Sequence, residues 1–264
     1  EAYSKYLYLG DYYVKEKTAP NGYVLDREEH DVSLTYKGQE IDVFTEGLDV
    51  EDTPQKARIH LQKTDSETKK GVPNAVYEIR ARNDVIVNGD IKLKAEDLAT
   101  TLTTDKNGEA YSKYLYLGDY YVKEKTAPDG DVIDREEHDI SLTYKGQEVD
   151  VFTEGLKAQD TPQKARLHLL KTDSETGKGI PGAIYEIFVR SDVIVNGDIK
   201  YPAGTVVDVL TTDQNGEAYS DYLYLGNYYA KEKTAPHGYV IDETEHDFAL
   251  EYAGQEISVY THSL

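Results

Sequence analysis

The stretch Arg58-Ile59-His60-Leu61-Gln62-Lys63-Thr64-Asp65 reads as the opening strand of a domain. Side chains alternate across a strand, so Ile59, Leu61 and Lys63 share one face and Arg58, His60 and Gln62 the other. The apolar face is the one a fold buries, which points a lysine into the core. A later copy repeats the arrangement, with Leu167, Leu169 and Lys171 inward and Arg166 and His168 outward. A buried lysine is costly unless it is paired, neutral or consumed by a reaction.

Outward from this strand, the chain repeats itself. Residues 1–56 recur almost letter for letter at 109–164 and more loosely from Glu217 onward, an offset of 108 residues between Glu1 and Glu109. The expected organisation is the C-terminal half of a repeat at 1–54, a complete repeat at 55–162, and a third at 163–264 that lacks its last segment. A unit of that length is a domain in its own right, not a solenoid turn. The Asp-Thr-Pro-Gln-Lys stretches at 52–56 and 160–164 are the expected links, short and stiffened by proline, so a semi-rigid rod is predicted. The absence of an initiator Met suggests a piece of a longer chain.

Composition narrows the function classes. A net charge of −21 leaves no basic face to neutralise phosphates, which argues against nucleic acid and anionic membrane surfaces as partners. No apolar run approaches a membrane span, so no membrane insertion is expected of this stretch. With no Cys there is no disulfide, and with neither Cys nor Met the easily oxidised side chains are missing, which suits an extracellular setting.

Within the complete repeat, alternation and closely spaced turn signals predict an all-β fold. Val72–Arg82 is a strand after the polar Ser66–Gly71 loop, and Val85–Ile91 is a hairpin on Asn88-Gly89. Leu98–Thr104 and Glu109–Leu117 are expected to pair around Asp105–Gly108. A strand at Tyr120–Glu124 leads to the Ala127-Pro128-Asp129-Gly130 corner, and His138–Tyr144 is expected to pair with Gln147–Thr153. A two-layer β-sandwich is the economical arrangement.

Three ionisable residues each close an apolar row. Lys63 follows Ile59 and Leu61; Glu124 follows Tyr120 and Val122; Asp160 follows Leu156 and Ala158. In the first repeat Leu48, Val50 and Asp52 form the matching row.

The runs Lys63-Thr64-Asp65, Pro73-Asn74-Ala75-Val76-Tyr77-Glu78-Ile79, Thr103-Thr104-Asp105-Lys106-Asn107-Gly108 and Gly118-Asp119-Tyr120-Tyr121-Val122-Lys123-Glu124-Lys125-Thr126-Ala127-Pro128 resemble the SpaA/Cna-B-type repeat of Gram-positive surface proteins and pilins. The resemblance covers both nearly whole repeats and the leading half. It implies tandem Ig-like, prealbumin-like β-sandwich domains in a rod. It also implies an intramolecular isopeptide bond, in which a first-strand Lys joins an Asn or Asp of the last strand, assisted by a Glu before the Ala-Pro corner. Carried over, Lys63 is the nucleophile, Glu124 the proton shuttle and Asp160 the acceptor. The third repeat retains Lys171 and Glu232, and the first retains Glu16 and Asp52, as incomplete sets. Two departures stand out: Asp131 replaces the Tyr found at Tyr23 and Tyr239, and Asp160 stands where Asn is common.

The chemistry is physically reasonable, because burial disfavours charge on amines and carboxylic acids alike, so an uncharged amine and a protonated Glu124 can share one core. The alternative reading of Lys63, Glu124 and Asp160 is an unreacted buried salt-bridge cluster. Asp105-x-Asn107-Gly108 lacks the remaining spacing of a calcium loop and reads as a turn, and no histidine spacing suggests a metal or cofactor. His60 and His168 are expected to be ordinary outward residues, and Asp134–Asp139 a solvated charge run. The expected function is a structural stalk or spacer of a cell-surface adhesin or pilin, on the cell wall of a Gram-positive bacterium, with neighbouring repeats as partners. The second hypothesis is an adhesive module that binds host matrix protein or glycan through Tyr111, Tyr114, Tyr116 and Tyr121. An enzyme is the third, disfavoured because near-identical copies repeat the same acids; the only catalysis expected is autocatalytic bond formation.

Overall fold

The Lys56–Asp65 strand has the predicted alternation, with Ala57, Ile59, Leu61, Lys63 and Asp65 all sealed from solvent. The computed structural model describes residues 1–264, and every regular element in it is a strand. No helix is long and apolar enough to cross a membrane.

In the middle part of the chain two sheets face one another. Lys56–Asp65 pairs in parallel with Val151–Pro162, placing Lys56 opposite Val151 and Asp65 opposite Asp160. On its other side it pairs antiparallel with Glu109–Tyr111 and Leu115–Tyr116. Asp131–Val132 closes the far edge of Val151–Pro162. The second sheet runs Glu137–Leu142, Gly118–Thr126, Val76–Ala81, Leu98–Thr103. Ile59, Leu61 and Ala158 from the first sheet pack on Tyr77, Ile79, Leu102, Tyr120 and Val122 from the second. Each large side chain removed from water there contributes about 1.5–3 kcal/mol. A parallel pair needs a long crossover between its strands, and here the whole intervening sandwich is that crossover.

The third repeat copies the plan. Lys164–Leu170 lies between Glu217–Tyr219 and the parallel Val259–Ser263, and Ile184–Val189 and Gly226–Thr234 centre the opposing sheet. Its core is built from Leu167, Ile187, Tyr228 and Leu250 with their neighbours. The first 54 residues form two small ribbons, Gly10–Lys15 with Glu29–Leu34 and Tyr23–Val24 with Thr53–Pro54. Ala19 is the one apolar residue buried there, and Leu48 and Val50 face solvent, so the apolar row expected to lead to Asp52 is not enclosed.

Two expectations need correction. The Asp105–Gly108 turn does not close a hairpin: Leu98–Thr103 lies in the second sheet and Glu109–Tyr111 in the first, so the chain crosses between layers. Likewise Glu137–Leu142 pairs with Gly118–Thr126 and not with the strand that follows, because Val151–Pro162 crosses to the first sheet. The links at 52–56 and 160–164 are themselves ordered. Thr53–Pro54 is paired, Val151–Pro162 continues through Asp160, and Gln55 and Gln163 are each only 1% exposed.

The first crossing explains two glycines and fixes the lysine. The Lys63 N–H donates to Gly108 O at 2.7 Å, and Lys63 O accepts from Val72 N–H at 3.1 Å. A Cβ on Gly108 (φ 76°) would lie 2.1 Å from Lys63 O, and one on Gly71 would lie 1.8 Å from Asn107 O. Backbone meets backbone here with no room for a side chain. Gly108→Ala is therefore expected to destabilise the middle repeat by about 3 kcal/mol or more, against about 1 kcal/mol for Gly89→Ala, whose Cβ would meet open space. Urea unfolding of the two variants checks the contrast; equal losses would refute it.

Candidate functional site

Lys63, Glu124 and Asp160 come from three strands in two sheets and meet inside the middle sandwich. Lys63 lies opposite Ala158 in the parallel register, so Asp160 follows on the same inward row. Glu124 reaches in from the second sheet, where it pairs with Tyr77 just before a register shift at Lys125. Lys63 Nζ stands 2.5 Å from Asp160 Oδ1 and 3.5 Å from Glu124 Oε2, and all three side chains are 0% exposed. The short approach to Asp160 lacks the alignment of a hydrogen bond, and Asp160 Oδ1 and Oδ2 and Glu124 Oε1 are buried without hydrogen-bond partners. The Tyr77 ring lies under the amine at 5.2 Å.

Burial pushes the Glu124 carboxyl up to about 7; Lys63 opposes the rise and Asp160 adds to it. Burial also raises Asp160 above the ordinary carboxylate range, against the pull of Lys63. The Tyr77 phenol is driven far up by burial and then by the adjacent carboxylates, so it stays neutral. A proton is thus retained in the acid pair near neutrality. Ion pairs so fully desolvated often stabilise no more than apolar residues of similar size. An amine and a carboxyl at contact distance in a dry core can instead condense to an amide, which is neutral.

Asp131, the departure from Tyr, bears on this cluster. In the third repeat Tyr239 donates to Asp173 Oδ2 at 3.1 Å. In the middle repeat Asp65, the counterpart of Asp173, keeps a buried Oδ2 with no partner. Burial, followed by the charges of Asp160 and Asp65, pushes Asp131 up to about 7.

The incomplete sets are arranged differently. Lys171 Nζ lies 3.4 Å from Glu232, but its side chain is 18% exposed. Burial pulls Lys171 down, yet Tyr185 and Glu232 outweigh it and hold the ammonium above its ordinary value. Glu16 Oε2 accepts from Asp26 N–H at 2.8 Å, and Asp52 is half-buried at the end of its ribbon region.

The 134–139 run is not simply solvated. The Asp134 N–H donates to Glu124 Oε2 at 2.7 Å, and the Asp134 carboxylate pairs with His138 at 2.7 Å, both side chains largely covered. The same Asp-x-x-x-His pairing recurs at Asp26 with His30 and Asp242 with His246. That spacing, present three times, was the sequence signal for a structural role. The outward histidines are also engaged: His60 stacks on Tyr111 at 4.3 Å and His168 on Tyr219 at 4.5 Å. The four tyrosines do not make one face. Tyr111 and Tyr114 lie beside Arg58 on the first sheet, whereas Tyr121 is buried in the second beneath Arg82.

Comparison with known proteins agrees with this architecture. The SpaA prealbumin-like fold domain matches residues 1–47, 57–155 and 165–263. No curated protein matches the chain. Among solved structures, the Bacillus anthracis TIE protein is similar at 26% identity and a TM-score of 0.65, over 97% of this chain and 41% of that one. A streptococcal ancillary pilin aligns at 20% identity and a TM-score of 0.34, over 97% of this chain and 76% of that one. The shaft pilin SpaA of Lactobacillus rhamnosus GG aligns at 16% identity and a TM-score of 0.30, over 80% of this chain and 97% of that one. The chain spans less than half the length of the first of these. With three matches that together take in nearly all of its residues, this chain belongs to the SpaA prealbumin-like fold family.

Proposed function

We propose that the chain is a force-transmitting spacer of a Gram-positive surface protein or pilus, and that its middle repeat is welded by an amide bond between Lys63 and Asp160. The observation that carries this reading is the fully buried amine within 2.5 Å of one carboxyl and 3.5 Å of another. The Lys63 nitrogen attacks Asp160 Cγ. Glu124, protonated at the outset, gives its proton to the departing oxygen, which leaves as water, and takes one back from the nitrogen. An amine and a carboxylic acid become one amide plus one water, and Glu124 ends as it began. Family membership supports a structural role and not an enzymatic one; the adhesive reading draws less support, since the tyrosines of the first sheet already stack on His60 and Arg58.

Intact mass tests the chemistry. The wild-type chain is expected one water lighter than its sequence, and Glu124→Ala to have the full mass. A full-mass wild type contradicts the bond. By analogy with a disulfide closing a loop of this length, the weld contributes about 4–5 kcal/mol. Glu124→Ala is thus expected to lower the melting temperature of the middle repeat by roughly 20 °C in calorimetry; a shift of only a few degrees would show that no such tie exists.

The proton inventory sets the pH dependence. The reactive cluster holds two protons beyond amine N–H₂, carboxylate and carboxylate, whichever groups carry them. A Glu124 pKa near 7 means that raising the pH through neutrality removes one of them. The folded-state value is raised, so the protonated form dominates below it and is lost above it. Bond formation is expected to be fastest below about pH 7 and to slow roughly tenfold per unit above it. Mass spectrometry of freshly synthesised chain across pH 5.5–9 measures this (~0.5-unit steps suffice); a rate that climbs through that range would contradict Glu124 as the proton carrier.

A further inference from the structure

Two glutamines build each junction between successive repeats, and the same atoms recur at both. Gln163 is 1% exposed; its Nε2 donates to Gly254 O at 2.9 Å and to Ile257 O, and its Oε1 accepts from Ala253 N–H at 2.7 Å. Its backbone N–H donates to Gly130 O of the preceding repeat at 2.8 Å. The loop that Gln163 organises presents Gln255 to that preceding repeat. Gln255 Oε1 accepts from Ala127 N–H at 2.9 Å, and Gln255 O accepts from Ile133 N–H at 3.0 Å. At the other junction Gln55 holds Gly146 and Lys145, and Gln147 accepts from Ala19 and Leu25, each at 2.9 Å.

The corner gripped by Gln255 is the one that serves the buried cluster. Ala127 and Ile133 are its two ends. Between them, Asp131–Val132 pairs with Thr161 and Pro162, on the strand that carries Asp160. Directly after it, the Asp134 N–H reaches Glu124 Oε2 at 2.7 Å. A docked third repeat therefore pins both ends of a segment that bridges the strands of Glu124 and Asp160. An open corner would let the Asp134 amide swing off Glu124 and admit water to the cluster.

We infer that Gln255 of the third repeat is a positioning residue for the second: by accepting from Ala127 and Ile133 it holds the Asp134 N–H on Glu124, so that docking of one repeat prepares its N-terminal neighbour for bond formation. This rests on the reading of Lys63, Glu124 and Asp160 as a bond-forming set. Gln255 touches no reacting atom and acts through the corner alone.

The test uses the full chain with Gln255→Ala and Gln255→Glu. Two readouts are followed: the rate of water loss after cell-free synthesis, and hydrogen exchange at the Asp134 amide. Gln255→Ala removes the side-chain acceptor of Ala127 N–H and leaves the main-chain bond to Ile133; it is expected to slow water loss about threefold to tenfold, as loss of that one hydrogen bond implies, and to speed Asp134 exchange by a similar factor. Gln255→Glu keeps the acceptor oxygen and is expected within about twofold of wild type on both. Wild-type water loss and wild-type Asp134 exchange in Gln255→Ala overturn the inference. If the wild type loses no water, the bond reading fails on its own. Asp134 exchange then decides the joint: acceleration in Gln255→Ala supports the positioning of Glu124's donor, and no change overturns it.

Discussion

An amine and two carboxyl groups shut away from water are the constraint around which the middle repeat is built. Continuum physics makes such a group expensive to assemble and valuable only if every charge is matched. Here the matching is incomplete: Glu124 Oε1 and both Asp160 oxygens are buried without hydrogen-bond partners. The proposed condensation would remove the problem by converting two ionisable groups into one amide. The parallel pairing of Lys56–Asp65 with Val151–Pro162 is what would make it useful, because it brings the first and last strands of the repeat side by side. A bond between them would span the whole domain while costing only a local rearrangement.

Much of this was legible in the sequence because strand periodicity forces it. Once Ile59 and Leu61 point inward, so does Lys63; once Ala158 does, so does Asp160. Those rows were enough to name the three residues that converge. The connections between strands were harder to read. Asp105-Lys106-Asn107-Gly108 has the composition of a hairpin turn, but composition does not reveal whether the outgoing strand stays in its sheet. What decides it is the close approach of Gly108 and Gly71 to the backbone of Lys63, a tertiary contact. The Asp134–His138 pair was likewise hidden inside a stretch whose charge density reads as surface. The first repeat's Leu48 and Val50 follow the right period yet face water, since periodicity marks a face without supplying anything to cover it.

The third repeat clarifies which features matter. It has the same lysine and glutamate 3.4 Å apart, but there the amine keeps some contact with solvent and is held in its charged form. Lys63, by contrast, has a second carboxyl at contact distance and no solvent at all. On the proposed reading, enclosure by the last strand, and not the lysine–glutamate pair alone, would set the conditions for reaction. The junction glutamines extend the same logic from one repeat to the next, since the corner that completes the enclosure is gripped by its neighbour.

Pulling on single molecules from both ends tests the weld most directly. The segment from Lys63 to Asp160 holds 97 steps of chain, which at ~3.5 Å per extended residue corresponds to roughly 340 Å of hidden length. The account predicts that wild-type traces lack this release from the middle repeat and that Glu124→Ala traces contain it. A wild-type trace that yields the full length would mean that the two ends of the domain are not joined, and would contradict the account.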